Sequence, residues 1–205
     1  MIFVVDTSSA CSALALLHPD GAVASEEIHE SGRTFDLPAR FRDMTAGQTV
    51  TKVAVAVGPG SFTGLRVGVS FALGLAMGLE IPIVAIKTLH LQAARSHRPA
   101  VAVAEAGRGR VYHLAPGAEP GLAEPADLPR DLPMVGWLRP ATEAALLSEG
   151  LRFQPESELR SFGAAASSML DSASEVAYGS LRLEYMQALG SAFRRDQGSA
   201  SARNR

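Results

Sequence analysis

The chain has 205 residues and a mass of 21.5 kDa, room for one large domain or two small lobes. It is 47% hydrophobic and 20% charged, which excludes a wholly disordered chain. A formal net charge of -2 argues against unaided binding to nucleic acid or an anionic membrane, and a single cysteine, Cys11, excludes an internal disulfide or a cysteine metal cage.

Residues 2–5 are a continuous apolar run with β-branched members, which predicts a buried strand. Asp6 ends it too early for a secretory signal core. Thr7, Ser8 and Ser9 make a polar turn, and residues 11–17 a second strand. His18-Pro19-Asp20-Gly21 signals a turn into a third strand over 22–28, giving an antiparallel meander. Phe35, Leu37, Phe41 and Met44 have helical spacing, with Pro38 at the helix start. Residues 53–57 predict a buried strand closed by Gly58-Pro59-Gly60, and Ser61 or Thr63 can cap a helix running to about residue 79. Pro82 breaks the chain, residues 83–86 predict a strand, and Thr88 can cap a helix to residue 95. The order βββαβαβα describes a mixed sheet covered by helices, an α/β layout.

A second unit begins after His97-Arg98-Pro99, so the expected division is a lobe over 1–99, a lobe over 100–190 and a disordered tail over 191–205. Strands are predicted at 101–105, 110–115 and 134–137, a loop at 119–133, and short helices at 141–147 and 163–170. The longest uncharged apolar stretch, residues 67–79, falls short of the ~20 residues that cross a bilayer. The expectation is a soluble, cytoplasmic protein.

Asp6, Thr7 and Ser8 at a strand end can hold a metal-bound phosphate, or simply form a β-turn. The block Gly58-Pro59-Gly60-Ser61-Phe62-Thr63-Gly64-Leu65-Arg66-Val67-Gly68 is not a P-loop, because no Lys-Ser/Thr pair follows its glycines. Its Gly58, Gly60 and Gly64 also miss the dinucleotide spacing by one residue. Gly60, Gly64, Gly68, Ala72 and Ala76 recur every four residues and draw a small-residue stripe that admits a close neighbour. Val67, Phe71, Leu75 and Leu79, with Leu65, Val69, Leu73 and Met77, make the helix apolar nearly all round. Either the helix is wholly internal, or another subunit covers part of it.

Arg66 can salt-bridge Asp6 or Glu105, face a ligand, or snorkel. Cys11 reads as a core thiol, Ser61 has no evident His–Asp pair, and His18, His29, His90, His97 and His113 lack ligand spacing. Arg194, Arg195, Arg203 and Arg205 read as a solvated tail or a weak RNA contact.

Residues 1–8, 12–16 and 57–68, with Gly74-Leu75-Ala76 and Ile86-Lys87-Thr88-Leu89, resemble the TsaB family, also called YeaZ. Tyr185 matches a tyrosine of its last segment, and Glu105 stands where the family usually has Asp. The resemblance implies an actin-like, Hsp70-like ATPase fold of two βββαβα lobes, the second short and divergent. It implies a non-catalytic subunit that pairs with TsaD, the transferase for threonylcarbamoylation of adenosine 37 in tRNA, and with the ATPase TsaE. TsaD holds its metal through His-x-x-x-His, which this sequence lacks.

On that reading Ser61, Phe62, Thr63, Gly64, Leu65, Arg66, Gly68, Val69, Ala72 and Ala76 form the partner interface, with no catalytic residue and no metal ligand. The same face is expected to drive a homodimer when the chain is alone. ATP or ADP at or near the complex interface stays open. Gly68→Glu or Ala72→Glu is expected to block pairing and leave the lobe folded. The alternatives are an ATPase or small-molecule kinase using Asp6, Thr7 and Ser8, and a metalloprotease.

Overall fold

Alternation along the first strand sets the architecture of the computed structural model, which describes residues 1–30, 35–171 and 173–184. Ser31 to Thr34, Tyr185 and the segment 191–205 lie outside the described residues. Strands β1 (Ile2–Asp6), β2 (Cys11–Leu17) and β3 (Val23–Glu30) form the antiparallel meander. Strands β4 (Lys52–Gly58) and β5 (Ile83–Lys87) add to β1 in parallel. Phe3 and Val5 point to one side, where helices α1 (Leu37–Met44) and α2 (Phe62–Leu79) pack. Val4 points to the other, toward α3 (Thr88–Arg95) and α5 (Phe162–Leu170). The central strands are apolar throughout because both faces are covered.

Each helix has a local cause. Asp36 caps α1 by accepting from the Ala39 N–H at 3.1 Å, and Pro38 sits in the first turn. Phe41 of α1 and Phe71 of α2 meet edge-on at 6.1 Å over Phe3, so an aromatic trio fixes the two helices to one sheet face. Ser61 caps α2, and Glu80 closes it in the left-handed region at φ 55°. Thr88 does not cap α3: Lys87 holds that position without a side-chain bond, and the Thr88 hydroxyl turns inward.

The second sheet repeats the strand order of the first. Strands β6 (Val101–Gly107), β7 (Arg110–Leu114), β8 (Gly121–Ala123) and β9 (Met134–Val135) lie in the order β8-β7-β6-β9, as β3-β2-β1-β4 do. In both, two antiparallel pairings are followed by one parallel neighbour. This is the actin-like duplication, with the second copy reduced. Helix α4 (Pro140–Ser148) covers one face, and α3 is shared between the sheets: Leu91 faces the first and Leu89 the second.

Three details differ from the sequence reading. The stretch 119–133 holds β8 and a short 3-10 turn, because Leu122 pairs with Tyr112 across the hairpin. The strand at 134 stops after Val135, freeing Trp137 to stack elsewhere. The chain after α4 returns to the first sheet: α5 packs on β2 and β3, and β10 (Glu175–Val176) pairs with β5. Helix α5 and strand β10, expected in the carboxy-terminal lobe, therefore pack with the amino-terminal one.

Candidate functional site

The end of β1 and the start of α2 interlock. Asp6 is fully buried, and its Oδ1 accepts from the Ser8 N–H at 2.7 Å and the Ser8 hydroxyl at 2.5 Å. The Ser8 oxygen lies 3.0 Å from the Thr88 hydroxyl. Thr7 donates its hydroxyl to the Gly64 carbonyl at 2.7 Å, and the Ser61 N–H donates to the Ser8 carbonyl at 2.7 Å. Burial raises the Asp6 carboxyl above its ordinary value of 3.8, partly opposed by the Ser8 hydrogen bonds and by Arg95. Asp6, Thr7 and Ser8, open to a phosphate role or a plain β-turn, use these polar atoms inside the chain.

The glycine stripe serves the same contact. A Cβ at Gly60 would collide with the Ser8 carbonyl, one at Gly64 with the Thr7 carbonyl, and one at Gly68 with the Thr7 hydroxyl. Ala72 and Ala76 continue the stripe into the core against the first sheet. The close neighbour that the small residues admit is therefore the protein's own turn and sheet. This corrects the expected interface: Leu65, Gly68, Ala72 and Ala76 are buried, Gly64 faces Thr7, Ser61 is the helix cap, and Val69 is half-buried. Phe62, Thr63 and Arg66 are exposed.

Only four of the 18 residues of α2 are buried. Its outward side exposes Val67 at 50% and Met77 at 54%, in line with Thr63, Ser70 and Gly74, and Phe62 at 53% and Leu79 at 47% are exposed at its two ends. Thr63, Val67, Ser70, Gly74 and Met77 fall at alternating steps of four and three, the seam spacing of paired helices. Arg66 meets neither Asp6 nor Glu105. Its guanidinium covers the Phe62 ring at 3.7 Å. At the far end, the Tyr178 hydroxyl bonds the Ile81 carbonyl at 2.8 Å and the Ala76 carbonyl at 3.2 Å, fixing the last turn of α2. By length and composition α2 would suffice to cross a membrane, but its inward face is committed to the sheet.

Beside the α2 start, a cleft of about 300 Å³ opens between Thr7, Ser9, Ser12, Ser61, Thr63 and Arg139. Glu105 accepts from the Arg139 N–H at 2.7 Å and the Thr142 hydroxyl at 3.1 Å, so it caps α4. Behind the cleft, Thr88, Gln92 and Arg95 line one face of α3 between the sheets, all buried. Arg95 stacks on Trp137 at 4.2 Å and pairs with Glu156, which also accepts from the Trp137 N–H at 3.0 Å. The Asp6 Oδ2, Gln92 Nε2 and Arg95 Nε atoms are buried with no protein partner among the described residues. The sequence reading missed this polar seam. Its signal was a polar residue at 88, 92 and 95 within an apolar helix.

Cys11 is half-buried rather than in the core, and burial pushes its thiol up. His18, His90 and His97 are exposed. His29 contacts Glu27 at 2.9 Å, and burial pulls His113 down. Among the described residues, no three His, Cys, Asp or Glu side chains stand together as a metal cluster would need.

The family model described as "TsaD: tRNA N6-adenosine threonylcarbamoyltransferase" matches residues 43–119, from the end of α1 to the loop after β7. The chain is 33% identical over 147 residues to the "tRNA threonylcarbamoyladenosine biosynthesis protein TsaB" of Bacillus subtilis, covering 67% of this chain and 64% of the relative. It is 31% identical over 121 residues to the Escherichia coli protein of that name, covering 54% and 52%. These likenesses support the TsaB (YeaZ) family for this chain. YeaZ from Pseudomonas aeruginosa shares the fold, with a TM-score of 0.69 at 22% identity over 90% of this chain and 99% of that one. The chain spans under two thirds of the length of the curated TsaB relatives it matches.

Proposed function

We propose that the chain is the scaffold subunit of a tRNA-modifying assembly. It pairs with a TsaD-type transferase that adds threonylcarbamoyl to adenosine 37 of tRNA, works with a TsaE-type ATPase in the cytoplasm, and carries out no chemistry by itself. The amino-terminal lobe is the pairing lobe, and the same face closes a homodimer when the transferase is absent. The observation that carries this reading is the outward face of α2, where Val67 and Met77 stand exposed on a helix locked from behind. Large apolar side chains exposed on such a face favour a protein contact. The relatives' names, as proteins of threonylcarbamoyladenosine biosynthesis, and the match to the TsaD family model support a TsaD-type partner.

The internal use of Asp6, Thr7 and Ser8 favours a scaffold over an ATPase or kinase of the same fold. A nucleotide at or near the complex would sit by the cleft of Ser61, Thr63 and Arg139. The test is reconstitution. Transfer to unmodified tRNA is measured with the TsaD-type and TsaE-type proteins, and with this chain, without it, or as Val67→Glu. Transfer that depends on the chain and drops at least about tenfold with Val67→Glu supports the reading. Transfer at full rate without the chain refutes it.

A further inference from the structure

The second sheet has a surface that pairing through α2 leaves unused. At the starting ends of β6 and β9, away from Glu105 and the cleft, lies a groove of about 410 Å³. Pro99, Leu132, Pro133 and Phe153 form its apolar floor, and Arg98 and Arg152 stand on its walls.

Three chain segments build the groove, and hydrogen bonds join them. The Val101 N–H donates to the Pro133 carbonyl at 2.9 Å, and the Met134 N–H to the Arg152 carbonyl at 2.7 Å. The Gln154 amide, in a buried residue, donates to the Ser96 oxygen at 2.7 Å, and the Ser96 hydroxyl bonds the Arg98 carbonyl at 2.6 Å. These bonds hold the Arg98 and Arg152 walls at a fixed separation.

The charges are uneven. Arg98 pairs with Glu158 at 2.9 Å. Arg152 has no ion pair or side-chain hydrogen bond among the described residues. Arg160 extends the row, bonding only the His97 ring and the Ala94 carbonyl, each at 3.3 Å. Three guanidiniums thus meet Glu158 and, on the adjoining loop, Asp131, while Arg130 and Glu149 neutralise each other. The surplus is positive on a chain whose net charge is -2.

We propose that this groove holds a single-stranded segment of RNA. Phosphate oxygens accept from Arg152 and Arg98, and one base lies on the floor of Pro99, Pro133 and Phe153. Guanidiniums beside an aromatic ring, here the half-buried Phe153, form the usual platform for an unpaired strand, since every base has a face to stack. The assignment rests on the scaffold reading for its source of RNA, the tRNA that the assembly modifies. Acting beside a partner, the groove need not overcome the chain's overall negative charge alone.

The test is fluorescence anisotropy of a labelled, unmodified anticodon stem-loop, titrated with the complex of this chain and its TsaD-type partner across salt concentrations. Arg98→Ala with Arg152→Ala is expected to weaken binding about tenfold or more. It should also flatten the slope of log affinity against log salt by about one to two. Arg98→Lys with Arg152→Lys should restore most of the slope. Both variants should pair with the partner as wild type does on a sizing column, which separates failure of the groove from failure of the scaffold. Wild-type affinity and slope in the double alanine variant would overturn the proposal. So would a mononucleotide that binds as tightly as the stem-loop. If the two chains do not pair, the scaffold reading falls, and the same titration of the chain alone at low salt decides the groove.

Discussion

The two sides of α2 obey different rules. The inward side is built of the smallest residues, Gly64, Gly68, Ala72 and Ala76, because the turn at Thr7 and the sheet lie too close for anything larger. The outward side carries Val67 and Met77, each at least half exposed. Small residues in a row announce that a neighbour is near, not that the neighbour is another protein. Large apolar residues left in water announce the partner. A single helix can carry both signals on opposite sides, and the proposed function assigns only the second to the assembly.

Substitutions on the two sides should separate accordingly. Ala72→Glu places an uncompensated carboxylate at a fully buried position and should cost about 3–5 kcal/mol or abolish folding, read by urea unfolding. This replaces the expectation that the lobe would stay folded. Gly64→Ala forces a methyl against the Thr7 carbonyl and should cost about 1–3 kcal/mol, read by thermal unfolding. Unchanged stability in either variant would mean that the inward side is not keyed to the turn.

Asp6 offers a pH test of the same lock. Its carboxyl is raised in the folded state by burial, so the unfolded chain loses that proton first. Below 3.8 both states are protonated and the group contributes nothing. As pH rises from there to the raised value, the folded state holds the extra proton and stability falls, then stays level. Stability of Asp6→Asn relative to wild type should therefore climb through that window. A flat difference would mean that Asp6 ionises as freely as in the unfolded chain. The smallest effect is expected at Tyr178→Phe, which loses two bonds to the last turn of α2 and should cost about 1 kcal/mol.

Much of the first lobe was legible because periodicity and punctuation agree there. The meander, the cap at Ser61 and the helix start at Pro38 each follow from a few adjacent residues. The second lobe was less legible because its strands are short: β8 has three residues and β9 two, too few to show alternation. The return of α5 and β10 to the first sheet is a long-range choice that no local pattern encodes. The site was half-legible. Of the residues expected in a partner interface, Phe62, Thr63 and Arg66 are exposed, whereas Gly68, Ala72 and Ala76 are buried. Sequence reports that a stripe is small but not which surface it touches. Arg95 and Trp137 were missed because they meet only when the two sheets close on α3.

The central claim is that the outward face of α2 is the partner face, and light scattering on a sizing column tests it most directly. Val67→Glu with Met77→Glu is compared with wild type, each alone and mixed with the TsaD-type protein. Both positions are half exposed, so the variant should unfold within about 0.5 kcal/mol of wild type. It is predicted to run as a monomer and to form no complex, where wild type dimerises alone and pairs when mixed. A folded variant that still pairs with wild-type affinity would contradict the account.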